Sequence, residues 1–141
     1  MVDLLLKPPP DWKSLERFSF GDSPALADEL LDLVLRGLKA GTCWAASEGQ
    51  QTHIGKLSVV CDGRNRPRAI TQTRSLDKRR YCDVGEDFAA KEGEGDGSLA
   101  FWQREHERDF RRLDQFSETM DLRCEEFAVV FVFPETREDM L

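Results

Sequence analysis

The chain has 141 residues, 40% of them apolar, which suits one domain with one core and leaves two independent cores undersized. Ten glycines and six prolines are near the average for soluble chains, so collagen-like and mostly disordered readings are excluded. A net charge of -7 speaks against a coat for long duplex DNA, because such binding grows with the phosphates neutralised.

That charge is unevenly laid out. Residues 62–80 carry a net +5 and residues 83–96 a net -5, a basic segment running straight into an acidic one. No window reaches the roughly 18 apolar residues of a membrane helix, and no secretory leader pattern opens the chain. Cys43, Cys61, Cys82 and Cys124 lack metal-knuckle or redox spacing. They read as reduced, structural thiols, and a cytoplasmic location is expected.

In chain order, residues 1–17 read as an irregular lead-in containing Pro8-Pro9-Pro10, with Trp12 and Leu15 able to pin it to the body. Ser23-Pro24 opens a helix over 24–36: the serine hydroxyl can cap it, and proline loses nothing at the first position. Leu26, Leu30, Leu33 and Val34 supply its apolar side, and Gly37 suits the left-handed residue beyond its end. From Leu57 the period falls to two, predicting a strand into Asp62-Gly63 and a second over 67–74, paired as an antiparallel hairpin. Ser98 caps a helix over 99–113 whose apolar face carries Leu99, Trp102, His106, Phe110 and Leu113. Residues 127–133 form a strand that Pro134 ends, and 134–141 is a loose tail. Short hairpin-linked strands between helices predict an α+β domain over 18–133, a small, mostly antiparallel, partly closed barrel flanked by helices.

Lys39 and Thr42 stand three apart just past the glycine cap, so another turn of chain would aim both into one pocket. A lysine there can hold an oxyanion, and a threonine hydroxyl can donate to substrate or attack a carbonyl. Glu92, Glu94 and Asp96 alternate with glycine; extended, they would share a face and offer a site to a divalent cation. Arg64, Arg66 and Arg68 are spaced by two, and Arg74 shares the Arg68 face by parity, which would present a basic strip to phosphate. Trp44 could stack a base. His106, between Trp102 and Phe110, reads as a hydrogen-bonded core residue, and His53 carries little signal.

Several segments in this order match a known pattern. They are Phe20-Gly21-Asp22-Ser23-Pro24, Ala27-Asp28-Glu29-Leu30, Gly37-x-Lys39-x-x-Thr42, Gly55 before Leu57 to Gly63, and Pro67-Arg68-Ala69-Ile70. Phe88 to Leu99, with Trp102 and His106 after it, completes the set. Over residues 18–133 the chain resembles the ASCH domain family, a branch of the PUA-like superfamily. The resemblance implies a PUA-like barrel directed at single-stranded RNA or a modified nucleoside, with no organic cofactor. Bacterial relatives include a ribonuclease acting on single-stranded RNA and an amidohydrolase that removes the acetyl group of N4-acetylcytidine. The amidohydrolase's Lys, Thr and Glu fall on Lys39, Thr42 and Glu92. Ribonuclease action is the first expectation, because the chain is of the longer form and carries the basic hairpin. The amidohydrolase and a non-catalytic RNA-binding module are the alternatives. Ser23, Trp44, Arg64, Arg66, Arg68 and Arg74 are the expected RNA contacts.

Overall fold

The computed structural model describes residues 4–134; the tail expected beyond Pro134 lies outside them. Five strands and three helices follow the order β1 (Arg17–Phe18), α1 (Pro24–Leu35), β2 (Gly41–Ala45), β3 (Leu57–Cys61), β4 (Pro67–Arg80), α2 (Glu86–Glu92), α3 (Leu99–Arg112) and β5 (Asp121–Val132). The strands form one sheet in the order β1-β3-β4-β5-β2. All pairs are antiparallel except β1 with β3. The α+β class and the mostly antiparallel sheet are as expected, but the sheet is open. β1 and β2 remain separate edges, so no barrel closes. Register shifts between Val60 and Cys61, Ile70 and Thr71, and Thr73 and Ser75 bend the long strands instead.

Helix α1 begins and ends as its residues dictate. Ser23 Oγ accepts the Leu26 N–H at 3.1 Å. At the other end Gly37 has φ 75°, with Gly37 N–H on Val34 O and Leu38 N–H on Leu33 O, the paired bonds of a Schellman stop. Leu30, Leu31 and Val34 pack with Phe20, Val60, Ala69 and Phe127 on one sheet face. The opposite face, Val59, Cys61, Ile70, Val130 and Phe131, is covered by Trp12, Leu15 and Phe133. Trp12 and Phe133 lie 4.7 Å apart, so the lead-in is pinned as anticipated.

A third cluster joins α2 and α3 to the far end of β4 and β5 through Tyr81, Phe88, Trp102, Phe110 and Leu122. Ser98 Oγ accepts the Phe101 N–H at 3.1 Å and starts α3. Leu113, expected on the buried face, is 58% exposed because α3 stops one residue earlier, at Arg112. Strands β4 and β5 run longer than their apolar patterns. Their polar halves, 74–80 and 121–126, pair with each other and meet hydrogen-bonding needs that periodicity does not reveal.

Candidate functional site

Past Gly37 the chain enters β2 rather than another turn. Lys39 and Thr42, an odd number of residues apart in extended chain, therefore face opposite ways. The shared pocket expected for them is corrected on that ground. Lys39 points inward and is 2% exposed. Its ammonium donates to Gly41 O at 2.8 Å, Glu94 Oε2 at 2.9 Å and Glu92 O at 3.3 Å, and meets Glu92 Oε1 at 3.5 Å. The Phe20 ring stands 5.4 Å from it.

Glu92 is the last residue of α2, not part of an extended glycine turn, and Gly93 (φ 67°) stops the helix behind it. Its carboxylate is 3% exposed. Trp102 Nε1 donates to Oε2 at 2.7 Å, and His106 Nε2 lies 3.5 Å from the same oxygen. Burial alone would raise the Glu92 pKa; His106, Lys39 and Trp102 together overcome it and hold the group at about 2. For His106 burial works against the proton, but Glu92 and the Trp102 carbonyl outweigh it and raise the imidazole above 6.5. His106 stacks on Trp102 at 4.4 Å, with Nδ1 2.9 Å from Trp102 O. It is the hydrogen-bonded residue anticipated, with the added contact to Glu92.

The three acidic residues do not share a face. Glu92 and Glu94 converge on the Lys39 ammonium, where a cation was expected, and exposed Asp96 accepts the Ser98 N–H at 2.9 Å. The lysine supplies the positive charge. Cys43 Sγ, Glu92 and His106 bring their ligand atoms within 4.8 Å of one another. Burial, then Glu92, raises the Cys43 thiol well above its usual value, and burial pushes Cys124 to about 12. Both are protonated near neutrality, in keeping with structural cysteines.

Thr42 faces a cleft of about 280 Å³ between β1, β2 and the middle of the sheet. Phe18, Phe20, Trp44 and Phe127 give it aromatic surface, while Thr42, Ser58, Thr71 and Glu125 give it polar atoms. Trp44 is held by its Nε1 donating to Gly49 O at 2.9 Å. Lys56 also lines the cleft and is ion-paired with Glu16.

The expected arginine strip lies elsewhere, and none of Arg64, Arg66, Arg68 and Arg74 lines this cleft. Residues 62–66 form the hairpin loop rather than strand, which breaks the alternation assumed for them. Buried Asp62 gathers them: it accepts the Arg64 and Arg66 N–H groups and Arg66 Nε within 3.0 Å, with Arg68 at 3.7 Å. Burial opposes that charge, but the Arg66 and Arg64 backbone donors and the Arg66 side chain lower the Asp62 pKa. Arg74 is exposed at the Thr73–Ser75 irregularity. Ser23 is occupied as the α1 cap.

Glu125 is the functional candidate missed from sequence. It sits directly opposite Thr42 in the β2–β5 ladder. Its Oε2 accepts from Thr73 Oγ1 at 2.7 Å, and Thr73 Oγ1 lies 2.8 Å from Thr52 Oγ1. Burial raises its pKa, with Thr73 and Lys56 acting against the rise. The alternation of Leu122 and Cys124 with Arg123 and Glu125 carried the signal, once the strand is begun at 121.

A family model of the ASCH domain matches residues 16–131. The chain is similar to the crystal structure of an ASCH domain from Lactobacillus crispatus JV V101, with 37% identity, a TM-score of 0.74, and coverage of 82% of this chain and 79% of that one. It is also similar to protein EF3133 of Enterococcus faecalis V583, of family DUF984, with 30% identity, a TM-score of 0.74, and coverage of 86% and 84%. No curated protein matches it.

Proposed function

This chain belongs to the ASCH domain family, whose members are generally RNA-binding, and on that premise we propose that it hydrolyses the amide of an acylated pyrimidine nucleoside such as N4-acetylcytidine. The observation that carries the reading is the makeup of the cleft, flat aromatic walls with hydroxyls and no arginine among its lining residues. Its volume lies near the lower end for small-molecule sites and suits one nucleoside. Aromatic faces stack a base, and neutral donors and acceptors read its edge.

Ribonuclease action calls for a cation at the scissile phosphate, where charge develops. Lys56 is the cleft's cation and is already paired with Glu16. The geometry therefore favours the amide over the phosphodiester, reversing the order expected from sequence. In this reading Thr42 is the hydroxyl that meets the acyl carbon. Lys39, beside Phe20, and Glu92 act as a buried charged pair that supports the start of β2. The products are the free exocyclic amine and acetic acid.

The test is incubation of wild type and Thr42→Val with N4-acetylcytidine and, separately, single-stranded RNA, with products identified by mass. Cytidine should form with wild type and fall about 100-fold or more with Thr42→Val, as when an activated nucleophile is lost. Cleaved RNA with intact N4-acetylcytidine would reverse the reading, and binding without turnover of either would leave a recognition module.

A further inference from the structure

We infer that Glu125, not Glu92, is the proton carrier of the cleft and serves the Thr42 hydroxyl across the β2–β5 ladder. This rests on reading the cleft as an amide-hydrolysing site. Thr42 and Glu125 are register partners on antiparallel strands, an arrangement that puts two side chains on one face with Cβ atoms about 5 Å apart. Both line the cleft. Thr73, backed by Thr52, fixes one carboxyl oxygen of Glu125. Among the described residues the other oxygen, Oε1, accepts no hydrogen bond, and Glu125 lines the cleft.

The charged groups that share this cleft are Glu16 and Lys56, paired with each other. Burial makes Glu125 a stronger base than an ordinary carboxylate, closer to what proton transfer near neutrality requires. Glu92 has the opposite environment. Trp102, His106 and Lys39 occupy its carboxylate and hold it at about 2, so it is a poor proton acceptor. The Lys39 Nζ is directed at four oxygens away from the cleft, and Lys39 is not among the residues that line it.

The step balances without a cofactor. Glu125 carboxylate takes the Thr42 Oγ–H proton as Oγ bonds to the acetyl carbonyl carbon. That proton passes to the exocyclic nitrogen as the C–N bond breaks and the amine leaves. Water then attacks the acetyl–Thr42 ester and gives a proton to Glu125. The ester C–O bond breaks, Thr42 Oγ recovers the proton, and acetic acid departs.

Two measurements test this. In steady-state deacetylation of N4-acetylcytidine, Glu125→Gln, which retains an acceptor for Thr73, should lower kcat about 100-fold or more with KM within about twofold. Glu125→Asp should retain part of the rate and move the acid limb of the kcat–pH profile, whereas Glu92→Gln should leave that limb in place. A wild-type kcat in Glu125→Gln, a change confined to KM, or an unmoved limb in Glu125→Asp would overturn the assignment.

The second measurement uses p-nitrophenyl acetate and does not depend on the natural substrate. Acetyl transfer to the protein, mapped by peptide mass, should fall on Thr42 and disappear in Glu125→Gln. If N4-acetylcytidine survives wild type while this Glu125-dependent acetylation occurs, the substrate reading fails and the role of Glu125 stands. Acetylation of Thr42 undiminished in Glu125→Gln, or none in wild type, removes Glu125 as its proton carrier.

Discussion

Lys39 and Glu92 are each 3% exposed or less and depend on one another. Removing one partner of a buried pair strands the other charge, at roughly 3–5 kcal/mol. Lys39→Met should therefore lower stability by about that much, read as a fall in denaturant midpoint at constant slope. Removing both charges, as in Lys39→Met with Glu92→Gln, should cost less than Lys39→Met alone. The same cluster sets a pH window. The Glu92 pKa lies at about 2 against an ordinary 4.5, so its contribution is complete above 4.5 and lost as pH falls towards 2. The shift is on the order of 3 kcal/mol. His106 is raised above 6.5, so its contribution is complete below 6.5 and lost as pH rises through the higher folded-state value. Melting temperatures measured from pH 2 to 9 should form a plateau between these limits. In Glu92→Gln both flanks should flatten, because the two residues share the bond.

At the level of elements, the end of α2 fixes the site. Gly93 has φ 67°, and a Cβ there would meet Leu38 O at 1.9 Å. Gly93→Ala combines left-handed strain with a backbone clash and should cost roughly 2–4 kcal/mol. It should also reduce activity, since Ala40 N–H bonds to Lys91 O at 2.7 Å and carries α2's position into β2. Gly37→Ala is the control. It has φ 75° but nothing within 4 Å, so the strain alone, about 1–2 kcal/mol, applies. Thermal unfolding of the two variants side by side checks the difference. The hairpin loop is tied down similarly, because Gly63 N–H donates to Asp28 at 2.7 Å and a Cβ would strike Pro24 O at 2.3 Å.

Taken whole, the molecule keeps the arginines and lysine of residues 62–80 out of the cleft lining. Arg66 and Arg68 neutralise Asp62, which is 3% exposed. Replacing both with glutamine should lower the melting temperature while leaving cytidine affinity within about twofold. Titrations by calorimetry between roughly 50 and 500 mM salt should give nearly constant affinity for cytidine, as expected when few exposed charges meet the ligand. A steep loss of affinity for single-stranded RNA over the same salt range would mean that phosphate contacts dominate. No helix among the described residues is long and apolar enough to cross a membrane.

Local chemistry was readable in the chain because it is written in neighbours. The Ser23 and Ser98 caps, the Gly37 stop, the apolar stripes of α1 and α3 and the β3–β4 hairpin each depend on residues a few positions apart. The adjacency of Lys39 and Glu92 came through the family resemblance, being 53 residues apart in sequence. What only the tertiary structure decided is which way side chains face once strands pair. The short β1 edge, the strand character of 41–45 and the polar halves of β4 and β5 have weak local patterns, and long-range hydrogen bonds create them. That pairing turns Thr42 away from Lys39, sets it opposite Glu125 and leaves the sheet open. The arginine spacing misled because residues 62–66 turn as a hairpin loop, and buried Asp62 there takes the Arg66 and Arg68 side chains that an uninterrupted strand would have presented outward.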